Sequence, residues 1–233
     1  MSQLLIAENL KTVKDKIAQA ALRAGRNPQD VQLVAVSKTV SGEPIKQAIE
    51  AGVTILGESY IQEARKKIGE LGKAVRWDFI GHLQSNKVSY AVDLFEVIHS
   101  IDRLSLAQAL STRAAKKRKT LRVLVQVNIS GEGAKSGIDT GRVNALVSHI
   151  ASLPNLTLEG LMTMPPYFTD PEEARPYFVA LRKLRDTLMA EQDNRINLKE
   201  LSMGMSGDFE VAIEEGATLV RVGTAIFGER SYA

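Results

Sequence analysis

The sequence predicts an α/β protein built as a (β/α)8 barrel, a TIM barrel, and three observations carry that prediction. Eight apolar, β-branched runs recur along the chain, at 31–38, 53–59, 77–83, 94–100, 121–129, 156–164, 198–204 and 218–228. Most are continuously apolar rather than alternating, as parallel strands covered on both faces should be. Stretches of helical period separate them, at 42–51, 60–71, 85–92, 103–118, 139–152, 171–192 and 207–216. A long helix over about 3–25 precedes the first run, and the chain stops soon after the eighth, so the N-terminal helix is expected to complete the outer ring. The alternative is a doubly wound open sheet, which asks for a glycine-rich turn after the first strand; "SKTVSGEP" does not supply one. No linker or low-complexity segment divides the 233 residues, and one barrel domain spanning 1–233 is expected.

Taken in order, the opening stretch "MSQLLIAENLKTVKDKIAQAALRAG" carries charges throughout, so it reads as an amphipathic helix and not as a secretory signal or membrane span. The first strand, in "LVAVSKTVS", runs straight into Lys38. In the helix at 103–118, Asp102 is the expected cap, and Leu104, Leu106, Ala107 and Leu110 form the apolar stripe. The basic run "AAKKRKTLR" at 114–122 follows as a solvated helix end, because cations suit a helix C-terminus. "GEGAKSG" at 131–137 fits neither a P-loop nor a dinucleotide fingerprint and reads as a flexible loop. The pattern at 171–192 places acids early and bases late, with Pro176 as a candidate first residue.

Composition narrows the chemistry. Lys and Arg number 30 against 27 Asp and Glu, a net charge of +3, which is no signal for nucleic acid. With no cysteine, disulfides, thiolate zinc sites and cysteine nucleophiles are excluded. His82, His99 and His149 lack metal-ligand spacing, so no metal is expected. A cytoplasmic protein that binds neither nucleic acid nor membrane is the expectation.

In a barrel the site lies at the C-terminal strand ends. These ends supply Lys38, Glu58 with Ser59, His82, Ser100, Asn128, Met164, "SMGMSGD" (202–208) and "RVGTAIFG" (221–228). Loops after the seventh and eighth strands often bind phosphate in barrels. Here they offer Ser202, Ser206, Gly223 and Thr224, small residues and hydroxyls that let backbone amides approach an anion. Ser206 stands where a helix should begin. The same residues are equally what ordinary turns ask for. Lys38 has two readings as well: a snorkelling surface residue, or an amine desolvated at the barrel mouth and made nucleophilic. An amine beside a phosphate site suggests an imine with a phosphorylated aldehyde, hence either a sugar-phosphate aldolase or a pyridoxal 5'-phosphate (PLP) protein. Arg221 shares a face with Gly223 and could donate to a pyridine nitrogen, or form an interior ion pair with Glu58.

Together, "LVAVSKT", "GESYIQEA" (57–64), "FIGHLQSNK" (79–87), "LVQVNIS" (124–130), "KSGI" (135–138), "GLMTM" (160–164), "LSMGMSGD" (201–208) and "VRVGTAIFG" (220–228) resemble the pyridoxal phosphate homeostasis protein family. The resemblance runs nearly end to end and in order. It implies a barrel similar to the N-terminal domain of alanine racemase, a fold-type III PLP protein. It implies that Lys38 carries PLP as a covalent internal aldimine, that Ser202 or Ser206 with Gly223 and Thr224 holds the phosphate, and that Arg221 faces the ring nitrogen. Ser59 stands where many members have asparagine, and His82 takes no role.

Three functions remain in view: a PLP-binding protein of vitamin B6 and amino-acid homeostasis without robust turnover, an amino-acid racemase, and a Schiff-base aldolase. Racemisation needs proton donors on both faces of the bound amino acid. In alanine racemase a second domain of the partner subunit supplies one of them, and here the chain ends at Ala233 just after the last strand. The expectation is therefore a monomeric PLP holder with no catalytic residue, with PLP-requiring apo-enzymes as candidate recipients.

Overall fold

In the computed structural model, which describes residues 3–132, 136–191 and 196–229, eight parallel strands close into a ring. They are β1 (Gln32–Val36), β2 (Ile55–Glu58), β3 (Arg76–Phe79), β4 (Val97–Ile101), β5 (Leu121–Asn128), β7 (Leu156–Met162), β8 (Glu200–Ser202) and β9 (Leu219–Val222). The two-residue β6 (Ile138–Asp139) pairs only with the end of β5 and stands outside the ring. Pairing of β4 with β5 and of β1 with β9 closes the circuit. Around it lie α1 (Gln3–Arg23), α2 (Gly42–Glu50), α3 (Ile61–Leu71), α4 (Val88–Leu94), α5 (Leu104–Lys116), α6 (Val143–Ser152), α7 (Arg175–Glu191), α8 (Phe209–Glu214) and α9 (Thr224–Phe227).

The continuous apolar runs are explained by burial on both faces. Val34, Ile55, Val97, Leu124, Met162 and Leu219 fill the barrel interior as one cluster. Their chain neighbours Ala35, Leu56, Ile98, Val123, Leu161 and Val220 pack outward under the helices. Each fully buried aliphatic side chain stabilises the fold by about 1.5–3 kcal/mol. Gly160 in β7 leaves no room for a Cβ against the Glu200 backbone, close to where the β5–β7 register slips at Val123 and Leu124. The N-terminal helix takes the expected place. It packs against α2, α8 and α9, with Asn9 Nδ2 donating to the Ile226 carbonyl at 3.1 Å.

Several local expectations are corrected. The run 218–228 is strand only through Val222; Thr224–Phe227 turns into helix and buries Ile226 and Phe227. A short apolar run does not distinguish strand from helix by periodicity. Asp102 does not cap α5: Arg103 holds the cap position, and the Asp102 carboxylate accepts from Arg103 Nη1 at 2.6 Å instead. Helix α7 begins at Arg175, after a 3-10 turn (Pro171–Ala174) in which Asp170 accepts from the Glu172 amide, so Pro176 lies inside the first turn. At the basic run, α5 ends at Lys116, and Lys119 Nζ donates to the Val92 and Phe95 carbonyls at the end of α4. Among the described residues, no helix is long and apolar enough to cross a membrane.

Candidate functional site

A cavity of about 280 Å³ opens at the C-terminal ends of the strands. Lys38, Ser206, Arg221, Gly223 and Thr224 all line it, with Val36, Ile80 and Met164 as apolar wall. The strand geometry explains this convergence. Alternate residues of a strand share a face, so Val34, Val36 and Lys38 continue one inward row, and Leu219, Arg221 and Gly223 continue another. Strands β1 and β9 are neighbours, with Val34 opposite Arg221.

Lys38 sits in a tightly held turn. Ser37 N donates to the Gly57 carbonyl at 3.0 Å, and Val40 N to the Ser37 carbonyl at 3.0 Å. Thr39 takes the left-handed backbone region, φ 64°, and its amide donates to Glu63 Oε1 at 2.5 Å. Lys67 on α3 donates to the Ser37 carbonyl, to Glu58 Oε1 at 2.7 Å and to Glu63 Oε1 at 2.6 Å. Ser37 Oγ also donates to Glu58 Oε1, at 2.7 Å. The residues on both sides of Lys38 are thus fastened to one ion cluster. Burial pushes the Glu58 carboxyl above the usual range, opposed by Lys67. The suggested Glu58–Arg221 ion pair does not form: Ser59 points inward, so Glu58 points outward to α3.

Arg221 is 3% exposed. Its Nη1 donates to Ser202 Oγ at 2.7 Å and its Nη2 to the Thr163 carbonyl at 2.9 Å. Burial lowers the guanidinium to about 10, with Asp208 opposing, so it is cationic at neutral pH. Behind it, Ser202 Oγ meets His99 Nδ1 at 3.0 Å, and His99 Nε2 meets Asp78 Oδ2 at 3.1 Å. Asp78 accepts from Arg76 Nε at 3.0 Å and Nη2 at 2.9 Å. Burial holds His99 below the ordinary imidazole value, opposed by Asp78.

The loop after β8 is shaped by Gly204, φ 89°, where a Cβ would come within 2.6 Å of Ala212. Asp208 closes it, accepting from the Met205 amide at 2.6 Å. Burial raises the Asp208 carboxyl, opposed by that amide and by Arg221. Ser206 does not start α8, whose cap is Asp208; its Oγ accepts instead from Gly223 N at 3.2 Å and Ala225 N at 3.4 Å. Hydroxyls and backbone amides therefore gather at one end of the cavity.

Of the two serines offered as alternatives, the structure brings Ser206 to the cavity and leaves Ser202 inside the barrel, 0% exposed and bonded to Arg221. Ser59 and Met164 line this cavity and a second one of about 450 Å³, which shares Lys38 with it and includes His82, Lys87 and Gln126. Asn128 closes the loop after β5, accepting from Ser130 Oγ at 3.0 Å, and Ser100 is buried. Lys135 of "KSGI" and the end of the chain from 230 lie outside the described residues. Sequence reasoning missed Lys67, Asp78 and His99. The available signals were an ionisable residue inside each of two apolar runs, "WDFIG" and "EVIHS", and the i,i+4 spacing of Glu63 and Lys67.

A family model described as the alanine racemase N-terminal domain matches residues 7–231. A pyridoxal phosphate homeostasis protein of Aquifex aeolicus is 46% identical over 97% of this chain and 98% of its own length. The structure of PipY from Synechococcus elongatus with PLP bound superposes with a TM-score of 0.84 at 35% identity, covering 96% of this chain and 100% of that one. Alanine racemase of Corynebacterium glutamicum, at 18% identity and TM-score 0.74 over 98% of this chain and 61% of that one, shares the fold.

Proposed function

Because the chain belongs to the pyridoxal phosphate homeostasis protein family, we propose that it binds PLP in the cavity beside Lys38 and serves vitamin B6 and amino-acid homeostasis by holding it. One observation carries the reading. A lysine amine and a cluster of hydroxyls and amides line the same cavity, and a buried cationic guanidinium lines it with them. That donor set fits the group: an aldehyde needs an amine, a phosphate needs hydrogen-bond donors, and a pyridine nitrogen needs a donor. The volume, about 280 Å³, lies just below the roughly 300–1,000 Å³ of ligand pockets.

In this reading Lys38 Nζ forms a carbon–nitrogen bond to the aldehyde carbon, and water leaves. Ser206, Gly223 and Thr224 hold the phosphate, and Val36, Ile80 and Met164 keep water from the ring. Ser202 has no part in phosphate binding; it serves Arg221. PLP, when bound, supplies an electrophilic carbon and an electron-withdrawing ring. Arg221 can only donate, and it stays charged at neutral pH, so it leaves the ring nitrogen unprotonated and the ring a weaker electron sink. That favours holding over turnover. The reading extends to a monomer that supplies apo-enzymes.

The test is borohydride reduction of PLP-loaded protein followed by peptide mass spectrometry. The expected result is a pyridoxyl group on Lys38, lost in Lys38→Ala. A pyridoxyl group on Lys87 or Lys135 in its place overturns the anchor. Saturable formation of D-alanine from L-alanine overturns the holder.

A further inference from the structure

We propose that Asp78 and His99 are positioning residues that, acting through Ser202, hold the Arg221 guanidinium toward the cavity. The proposal rests on the reading that Arg221 faces the ring of PLP. Its basis is a line of side chains crossing the barrel interior, from β9 through β8 and β4 to β3. Ser202, His99 and Asp78 are all 0% exposed, beside the interior apolar cluster of Val34, Ile55, Val97, Leu124, Met162 and Leu219. Buried polar groups are costly unless every member of the set is hydrogen-bonded.

The donors in this line run one way. A guanidinium has no acceptor, so Ser202 Oγ accepts from Arg221. The serine hydrogen then goes to His99 Nδ1, which must be the unprotonated nitrogen. The imidazole proton sits on Nε2 and is donated to Asp78. Asp78 ends the line, its charge matched by the two bonds from Arg76 on the far side. Each group therefore has one orientation, and so does the guanidinium at the end.

The spacing has an electrostatic consequence. A carboxylate in direct contact with Arg221 would occupy the guanidinium fork and neutralise it. Two neutral groups, a hydroxyl and an imidazole, keep Asp78 from that contact. Asp78 orients Arg221 without consuming its charge, while Arg76 compensates Asp78 from the opposite end.

Two measurements test this. The first needs no PLP: side-chain 15N NMR of the protein prepared without it, at pH 7. The expected His99 signal is the neutral tautomer protonated at Nε2; an Nδ1-protonated ring or an imidazolium overturns the proposal. The second titrates PLP into variants whose fold is checked by circular dichroism and melting. His99→Phe is expected to bind PLP roughly tenfold more weakly, the scale of one hydrogen bond to a charged group. His99→Gln, whose amide accepts and donates along the same line, is expected to recover most of the affinity. In an Arg221→Lys background His99→Phe should add nothing. An equal loss in that background means that the effect bypasses Arg221, and the proposal fails. If His99→Phe does not fold, Ser202→Ala makes the same comparison. If the wild type takes up no PLP, the proposed function fails, while the NMR result still decides the relay.

Discussion

Two polar clusters hold the neighbouring strands β1 and β9 from opposite sides of the barrel wall, and they work differently. Inside, Arg221 is presented through Ser202 and His99, with neutral groups between the guanidinium and Asp78. Outside, Lys67 touches Glu58 and Glu63 directly, and the bonds fall on the Ser37 carbonyl and the Thr39 amide. One cluster orients a side chain; the other immobilises the backbone that carries Lys38. Direct ion pairing suits the outer cluster because no charge there has to remain available to a ligand. In the proposed reading the inner cluster leaves the Arg221 cation available, so Asp78 is kept from Arg221 and pairs directly with Arg76 instead.

The comparison is most strongly broken by Lys67→Met. It leaves Glu58 buried beside no cation, and the expected loss is about 3–5 kcal/mol of stability, measured by urea unfolding. Adding Glu58→Leu should return most of that loss, because a buried pair can be replaced by apolar groups at little cost. No recovery would mean that Lys67 acts through the Ser37 carbonyl and Glu63 and not through Glu58. A smaller effect is expected inside the barrel. Ser202→Ala removes one acceptor from Arg221 and should cost about 1–3 kcal/mol, while weakening PLP binding more than Lys67→Met does.

The acid response sharpens the contrast, since the two clusters have opposite signs. Burial depresses His99 in the folded state, while the unfolded chain titrates near 6.5. Its stabilising contribution is complete above that value and is lost as pH falls toward the lower folded value. Glu58 is raised above 4.5 by burial, so its contribution is present below 4.5 and is lost as pH rises through the folded value. Urea unfolding at several pH values below 6.5 should therefore show less acid-side loss in His99→Gln than in the wild type. An unchanged slope would mean that His99 is protonated in the folded state. The smallest effect belongs to Glu63→Gln. Its side chain is a quarter exposed and the amide still accepts, so a change under about 1 kcal/mol is expected.

Much of this was legible before the structure. The eight continuous apolar runs announced a parallel closed sheet, and strand-end position put Lys38, Ser206, Arg221, Gly223 and Thr224 among a longer set of candidates from which the family resemblance singled them out. Reading failed where the signal was ambiguous at short range. The tail of 218–228 is as apolar in a helical turn as in a strand, and Ser202 differs from Ser206 only by still lying in the strand. Asp78 and His99 carried no local mark of what they bind, and the i,i+4 spacing gave Lys67 its Glu63 partner but neither Glu58 nor the Ser37 carbonyl.

The sequence by itself determined the barrel and the strand ends that meet at its mouth. Burial of a strand on both faces leaves a pattern in neighbouring residues, and alternation then assigns each side chain to a face. The tertiary structure alone decided the partners: that Ser202 would serve Arg221, that His99 would meet a serine 103 residues away, and that Lys67 would clamp the turn around Lys38. Those choices depend on which strands become neighbours when the ring closes, and no residue's immediate neighbours in the chain encode that closure.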